Sequence, residues 1–176
     1  MLLALFRRDD RGAAAIEFAA ASMLLVIGVL NAVDFGFYMY QRMQVENAAQ
    51  VGVQVAWKTC YDTSSMLPAT QNCPGLTDAV TAAIQNTSLG TNVSLMSGYP
   101  AEGYYCVAGS GALQSVGSVT ASRPSDCSAA GDATTMPSDY LQVGVSYPYA
   151  PMFPGLSLMG AWGITSISKT TWLRLG

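Results

Sequence analysis

RRDDRGAAAIEFAAASMLLVIGVLNAVDFGFYMYQRMQVENAAQVGVQVAW, residues 7 to 57, places a basic stub ahead of an apolar run and a polar, alanine-rich stretch behind it. From Phe18 to Val33 there are 16 residues without a charge, which as a helix rise roughly 24 Å, short of a bilayer core of about 30 Å. Starting at Ala13 gives 21 residues and about 31 Å, the right length for a span, but draws Glu17 in near its first edge. Arg7, Arg8 and Arg11 precede the run and only Arg42 lies close behind it. The excess of positive charge on the N-terminal side predicts a cytoplasmic N-terminus with the bulk of the chain outside. Phe35, Phe37, Tyr38 and Tyr40 form the aromatic cluster expected where a helix leaves the bilayer, and Asp34 reads as an interfacial charge at the same boundary. A cleaved secretory signal is the competing reading. The residues after the run offer only a poor small-x-small cleavage site.

Beyond the exit the pattern changes. Val45, Ala48, Ala49, Gly52, Ala56 and Trp57 recur at three- and four-residue spacing with Gln44, Glu46, Asn47, Gln50 and Gln54 between them. This predicts that the helix continues with a single apolar face, packed against a folded head.

The whole chain has 176 residues, 51% of them hydrophobic and 11% charged, which suits one compact domain plus an anchor and excludes a disordered chain. A net charge of −3 without a basic cluster argues against nucleic acid as a partner, because phosphate binding needs concentrated Lys and Arg. Cys60, Cys73, Cys106 and Cys127 all follow the apolar run, without CxxC spacing and without a histidine in the chain. That pattern favours disulfides over zinc in an extracytoplasmic head. Four cysteines allow three connectivities. Sequential pairing, Cys60 with Cys73 and Cys106 with Cys127, is the expected one because each bridge closes a local loop.

Residues 60–74 read as a loop. LTDAVTAAIQNTSLG, residues 76 to 90, reads as a short helix capped by Thr77, with Val80, Ala83 and Ile84 on one face and Gly90 at its end. Strand signals follow in TNVSLMS, residues 91 to 97, and GYYCVA, residues 103 to 108. The clearest is residues 141–149, where Leu141, Val143, Val145, Tyr147 and Tyr149 alternate with Gln142, Gly144, Ser146 and Pro148, as in a half-buried antiparallel strand. A last strand is expected within residues 162–175. Residues 108–139 are rich in Gly, Ser, Ala and Thr with little periodicity, and read as a long connector or a contact loop. The expected fold class is α+β: a long N-terminal helix, membrane-spanning in its first half, then a small head with a short helix and an antiparallel sheet.

Without histidine, a Ser-His-Asp triad, a Cys-His pair and a histidine metal site are excluded. Ser166, Ile167, Ser168 and Lys169 match S-x-x-K, but in strand-like sequence and without the companion motifs of serine-acylating enzymes. The glycines of GSGALQ, residues 109 to 114, fall short of a phosphate-binding loop. No catalytic residue, metal or cofactor is expected, and Asp62, Asp78, Glu102, Asp126, Asp132 and Asp139 read as solvated acids.

Gly12 followed by AAAIEF resembles a type IV prepilin processing site, and Glu17-Phe18 is similar to the acidic-aromatic pair of the Flp branch. RGxxxxEF, the apolar run, the Asp34-Phe35-Gly36 exit and the alanine-rich helix together resemble the TadE-like family. PSDYLQVGVSYPYAPMFPGLSL, residues 137 to 158, and the final WLRLG are also similar to that family's closing strands. The resemblance implies a minor pilin or pseudopilin of a Tad pilus, cut by a prepilin peptidase between Gly12 and Ala13, with Glu17 and Phe18 in processing and assembly. It implies as partners that peptidase, the major Flp pilin and other minor pilins, and the Tad assembly platform with its ATPase. The division it suggests is a leader at 1–12, a transmembrane and amphipathic spine at 13–58 and a periplasmic head at 59–176, held in a bacterial inner membrane and then in the pilus at the cell surface. Cleavage would create a positive amine on Ala13, four positions before Glu17 and about 6 Å down the helix axis on the same face, so the two charges could pair within or between chains. Ala15, Ala19, Ala20 and Ser22 keep the helix slim for close packing. The alternative is a permanently anchored extracytoplasmic binding domain that never enters a fibre.

Overall fold

The computed structural model describes residues 10–60 and 67–175. Arg7 and Arg8, with most of the expected leader, lie outside the described residues, as does part of the loop after Cys60. Helix α1 runs without interruption from Asp10 to Cys60, 51 residues. Its sequence contains no proline and is richest in Ala, so no residue lacks the backbone N–H that the helical ladder needs. The remaining elements are α2 (Ala69–Asn72), α3 (Leu76–Gln85), β1 (Ser94–Leu95), β2 (Ala101–Val107), β3 (Leu113–Ser118), β4 (Ser138–Pro148), α4 (Leu158–Ala161) and β5 (Ser166–Arg174). The fold is α+β, as expected: a long apolar N-terminal helix, short helices and an antiparallel sheet.

The chain forms two compact units. One comprises α1 as far as Tyr40 together with Tyr149–Thr165, and the other comprises Gln41–Pro148 together with the residues from Ser166 onward.

In the second unit β4 is the central strand. β5 pairs with it antiparallel from Tyr140↔Arg174 to Pro148↔Ser166. Its other edge is shared by β2, opposite Ser138–Gln142, and by β1, opposite Val145 and Ser146. β3 extends the sheet beyond β2. Val45, Ala48, Ala49, Val53 and Ala56 of α1 are buried, together with Leu76, Val80 and Ile84 of α3 and Leu141, Val143 and Val145 of β4. Burying each such valine or leucine stabilises the head by about 1.5–3 kcal/mol relative to exposure. Gly52 sets how near the elements come. A Cβ there would lie 3.0 Å from Ile84 Cγ2 and 3.1 Å from Val143 Cγ1, tighter than ordinary contact, so any side chain at this position requires those neighbours to give way by a few tenths of an ångström.

Several details differ from the sequence reading. Residues 60–74, read as a loop, contain the short helix α2. Thr77 does not cap α3: Gly75, with φ of 78°, precedes the helix, and Leu76 is its first residue. The left-handed backbone at Gly75 turns the chain into the helix without a side-chain cap. α3 ends at Gln85 rather than near Gly90. β4 is buried on both faces over residues 141–145, because the Tyr99 ring covers Gly144 and Gln142 donates to the Tyr105 hydroxyl. Residues 108–139 are not a bare connector, since they contain β3 and a short 3-10 turn at Ser128–Ala130.

Both bridges are sequential. Cys60 at the end of α1 bonds to Cys73, and Cys106 in β2 bonds to Cys127, with Cα separations of 5.7 and 5.8 Å. The second bridge and two local turns order the connector. Asp126 accepts from Ser128 N at 2.9 Å, and Asp132 accepts from the backbone and hydroxyl of Thr134. These donors hold both carboxyls below the usual aspartate range.

Candidate assembly helix and its exit

Gly12, Ala13, Glu17 and Phe18 lie in the first turns of α1, all exposed. Ala13 and Glu17 are one turn apart on one face of a continuous helix. Around them the surface is apolar and open: Ile16 is 73%, Phe18 75% and Leu24 74% exposed. An uncovered apolar surface of that extent is unsuited to water and suited to lipid or to other helices. α1 is the one helix among the described residues long and apolar enough to cross a membrane, with a mean hydropathy of 2.2 in its apolar window. Such a helix is consistent with membrane anchoring.

The exit is more elaborate than the sequence indicates. Asp34 is not an interfacial charge facing water; it is only 1% exposed. Its carboxylate accepts from Met152 N at 2.8 Å and from the Ser157 hydroxyl. One turn earlier, Asn31 accepts from Leu158 N at 2.8 Å and donates to Leu156 O at 3.1 Å, while also donating to Ile27 O. One turn later, Tyr38 meets Tyr149 edge to face, with ring centroids 5.2 Å apart. Asn31, Asp34 and Tyr38 recur at three- and four-residue spacing, so a single stripe of α1 holds the loop at Tyr149, Met152, Leu156, Ser157 and Leu158. The loop closes on itself through Tyr149 N to Thr165 O at 2.9 Å, and Ser157 caps α4 by accepting from Gly160 N. Burial, with Asp34 next to it, pushes the Tyr149 phenol above its ordinary value.

The remaining sequence candidates fall elsewhere. Ser166 and Lys169 both lie in β5, three residues apart, so the strand's alternation turns them to opposite faces, and Lys169 Nζ sits 3.6 Å from Glu46 Oε2 instead. The S-x-x-K match is therefore not assembled as a nucleophile and base. Of the scattered acids, Glu102 and Asp139 are not plain surface groups. Glu102 accepts from Ala69 N, Thr70 N and the Thr70 hydroxyl, holding the start of α2. Asp139 is 5% exposed, and burial, followed by the charge of Glu102, pushes its carboxyl up to about 7 against the pull of Arg123. Among the described residues no group of three or more His, Cys, Asp or Glu side chains is arranged to hold a metal.

A family model described as TadE-like protein matches residues 12–54. No curated protein and no solved structure matches the chain. The matched residues begin at Gly12, run through the apolar surface and the exit, and end inside the buried face of α1. The family is one of pilin-like proteins related to Tad pili, structural components rather than enzymes. It is residues 12–54, the segment that carries the opening residues' resemblance, that are similar to the TadE-like family.

Proposed function

We propose that the chain is a structural minor pilin or pseudopilin of a Tad (tight adherence) pilus. It is cut by a prepilin peptidase between Gly12 and Ala13, and it contributes to initiation, assembly or the tip of the fibre and so to surface attachment. The observation that carries this reading is the coincidence of the family match with one unbroken helix that is lipid-suited over its first part and core-packed over its second. A pilin needs that combination, because the same element must lie in the membrane before assembly, stack against neighbours afterwards and carry a head throughout.

In this reading residues 1–12 are the leader, 13–58 the spine and 59–176 the periplasmic head. The Ala13 amine and the Glu17 carboxylate are the assembly signal. A carboxylate inside the bilayer costs on the order of 3 kcal/mol at the centre and less near an edge, and a neighbour that brings an amine to its height recovers part of that cost. The partners are the prepilin peptidase, the major Flp pilin, other minor pilins and the inner-membrane assembly platform. Complementation of a deletion strain with Glu17→Ala tests the reading: the variant should remain in the membrane fraction while piliation and attachment fall. Unchanged piliation would favour an anchored binding domain that never enters a fibre.

A further inference from the structure

We propose that the Tyr149–Thr165 loop is a second membrane-contacting element, an apolar collar that enters the outer lipid interface beside α1. The inference rests on α1 being the membrane anchor, and not on cleavage or on a pilus role. Met152, Leu156, Leu158 and Trp162 are 51%, 53%, 52% and 69% exposed, and the loop contains no charged residue. Its height along the anchor is fixed by named bonds. Asn31, which holds Leu156 and Leu158 through their backbone, lies two residues inside the uncharged run that ends at Val33. The exposed leucines therefore sit level with the last turn of the apolar span, and their surface is continuous with surface that lipid must already cover. Asp34 supports the same placement. A carboxylate at that height is costly against acyl chains, and the loop covers it and supplies both donors, Met152 N and the Ser157 hydroxyl. Trp162 adds an amphipathic ring of the kind that accumulates at headgroup level. Asn31 and Asp34 are thus positioning residues that hold the collar to the helix.

Oxidative footprinting of the full, unaltered chain tests this, in nanodiscs of phosphatidylethanolamine and phosphatidylglycerol loaded with one chain each. Met136, which is 66% exposed and lies in the other unit, is the reference. Met152 and Trp162 should be oxidised several-fold more slowly than Met136. Oxidation of both at the Met136 rate would overturn the proposal. Protection that appears only when two or more chains share a disc would also overturn it, assigning the patch to a second copy. With Asp34→Ala, Met152 should lose protection while the chain stays in the disc; a variant with undiminished protection would remove Asp34 from its positioning role.

Discussion

The two halves of α1 have the same backbone and opposite surroundings. Ile16, Phe18, Leu24 and Leu25 are at least 70% exposed, whereas Val45, Ala48 and Ala49 are fully buried against the head. Up to Val33 apolar residues go all the way round the helix; from Val45 onward they keep to one stripe. The difference teaches that hydrophobicity alone does not say what a helix touches. An all-round apolar surface asks for a solvent of lipid or other helices, and a stripe asks for a folded partner.

Substitutions that should affect only one half put this contrast at risk. The largest effect is expected at the end of the packed half. Replacing Cys60 and Cys73 by Ala removes a bridge spanning 13 residues and should lower the head's unfolding free energy by about 3 kcal/mol, read by thermal melts in detergent. Helicity of the first half should not change. Next comes Gly52→Leu, whose side chain would collide with Ile84 and Val143, with an expected cost of about 2 kcal/mol. Gly28→Leu has open space around its Cβ and should leave the head's melt unmoved. Equal effects of the two leucines would break the contrast.

Carboxylates sharpen it further. Glu17 is exposed on the apolar half, while Asp139 is buried in the head with its pKa raised to about 7. The folded head then binds that proton more tightly than the unfolded chain, whose aspartate titrates near 3.8. This contribution favours the fold at low pH and declines as pH rises toward 7. Asp139→Asn should stabilise the head at pH 8 by on the order of 1 kcal/mol and flatten its stability between pH 5 and 8. The smallest effect is expected for Lys169→Met. Its partner Glu46 is half exposed, and loss of such a pair should cost less than about 1 kcal/mol.

The legible parts of the fold are those with strong local period. The α1 stripe at Val45, Ala48, Ala49, Gly52 and Ala56 and the β4 alternation at Leu141, Val143 and Val145 could be read directly, because core contact repeats at the period of the element. β3 could not: Leu113–Ser118 is an edge strand with no buried residue, so its sequence carries no alternation. The role of Asp34 was hidden for another reason. Its donors lie 118 and 123 residues away, and nothing local to Asp34 announces them. A signal did exist in the uncharged stretch from Tyr140 to Ser168, far longer than a β-hairpin turn needs. The roles proposed for Gly12, Ala13, Glu17 and Phe18 were legible only through resemblance. In the proposed reading other proteins act on these residues, so this chain's own packing need not record them.

The proposed cut between Gly12 and Ala13 is tested most directly by the first residue of the protein in the cell. Intact-mass and N-terminal mass spectrometry of the protein taken from membranes of a cell with its prepilin peptidase should find Ala13 at the terminus, with Glu17 four positions behind a free amine. A retained Met1, or a terminus beyond residue 30, would contradict it.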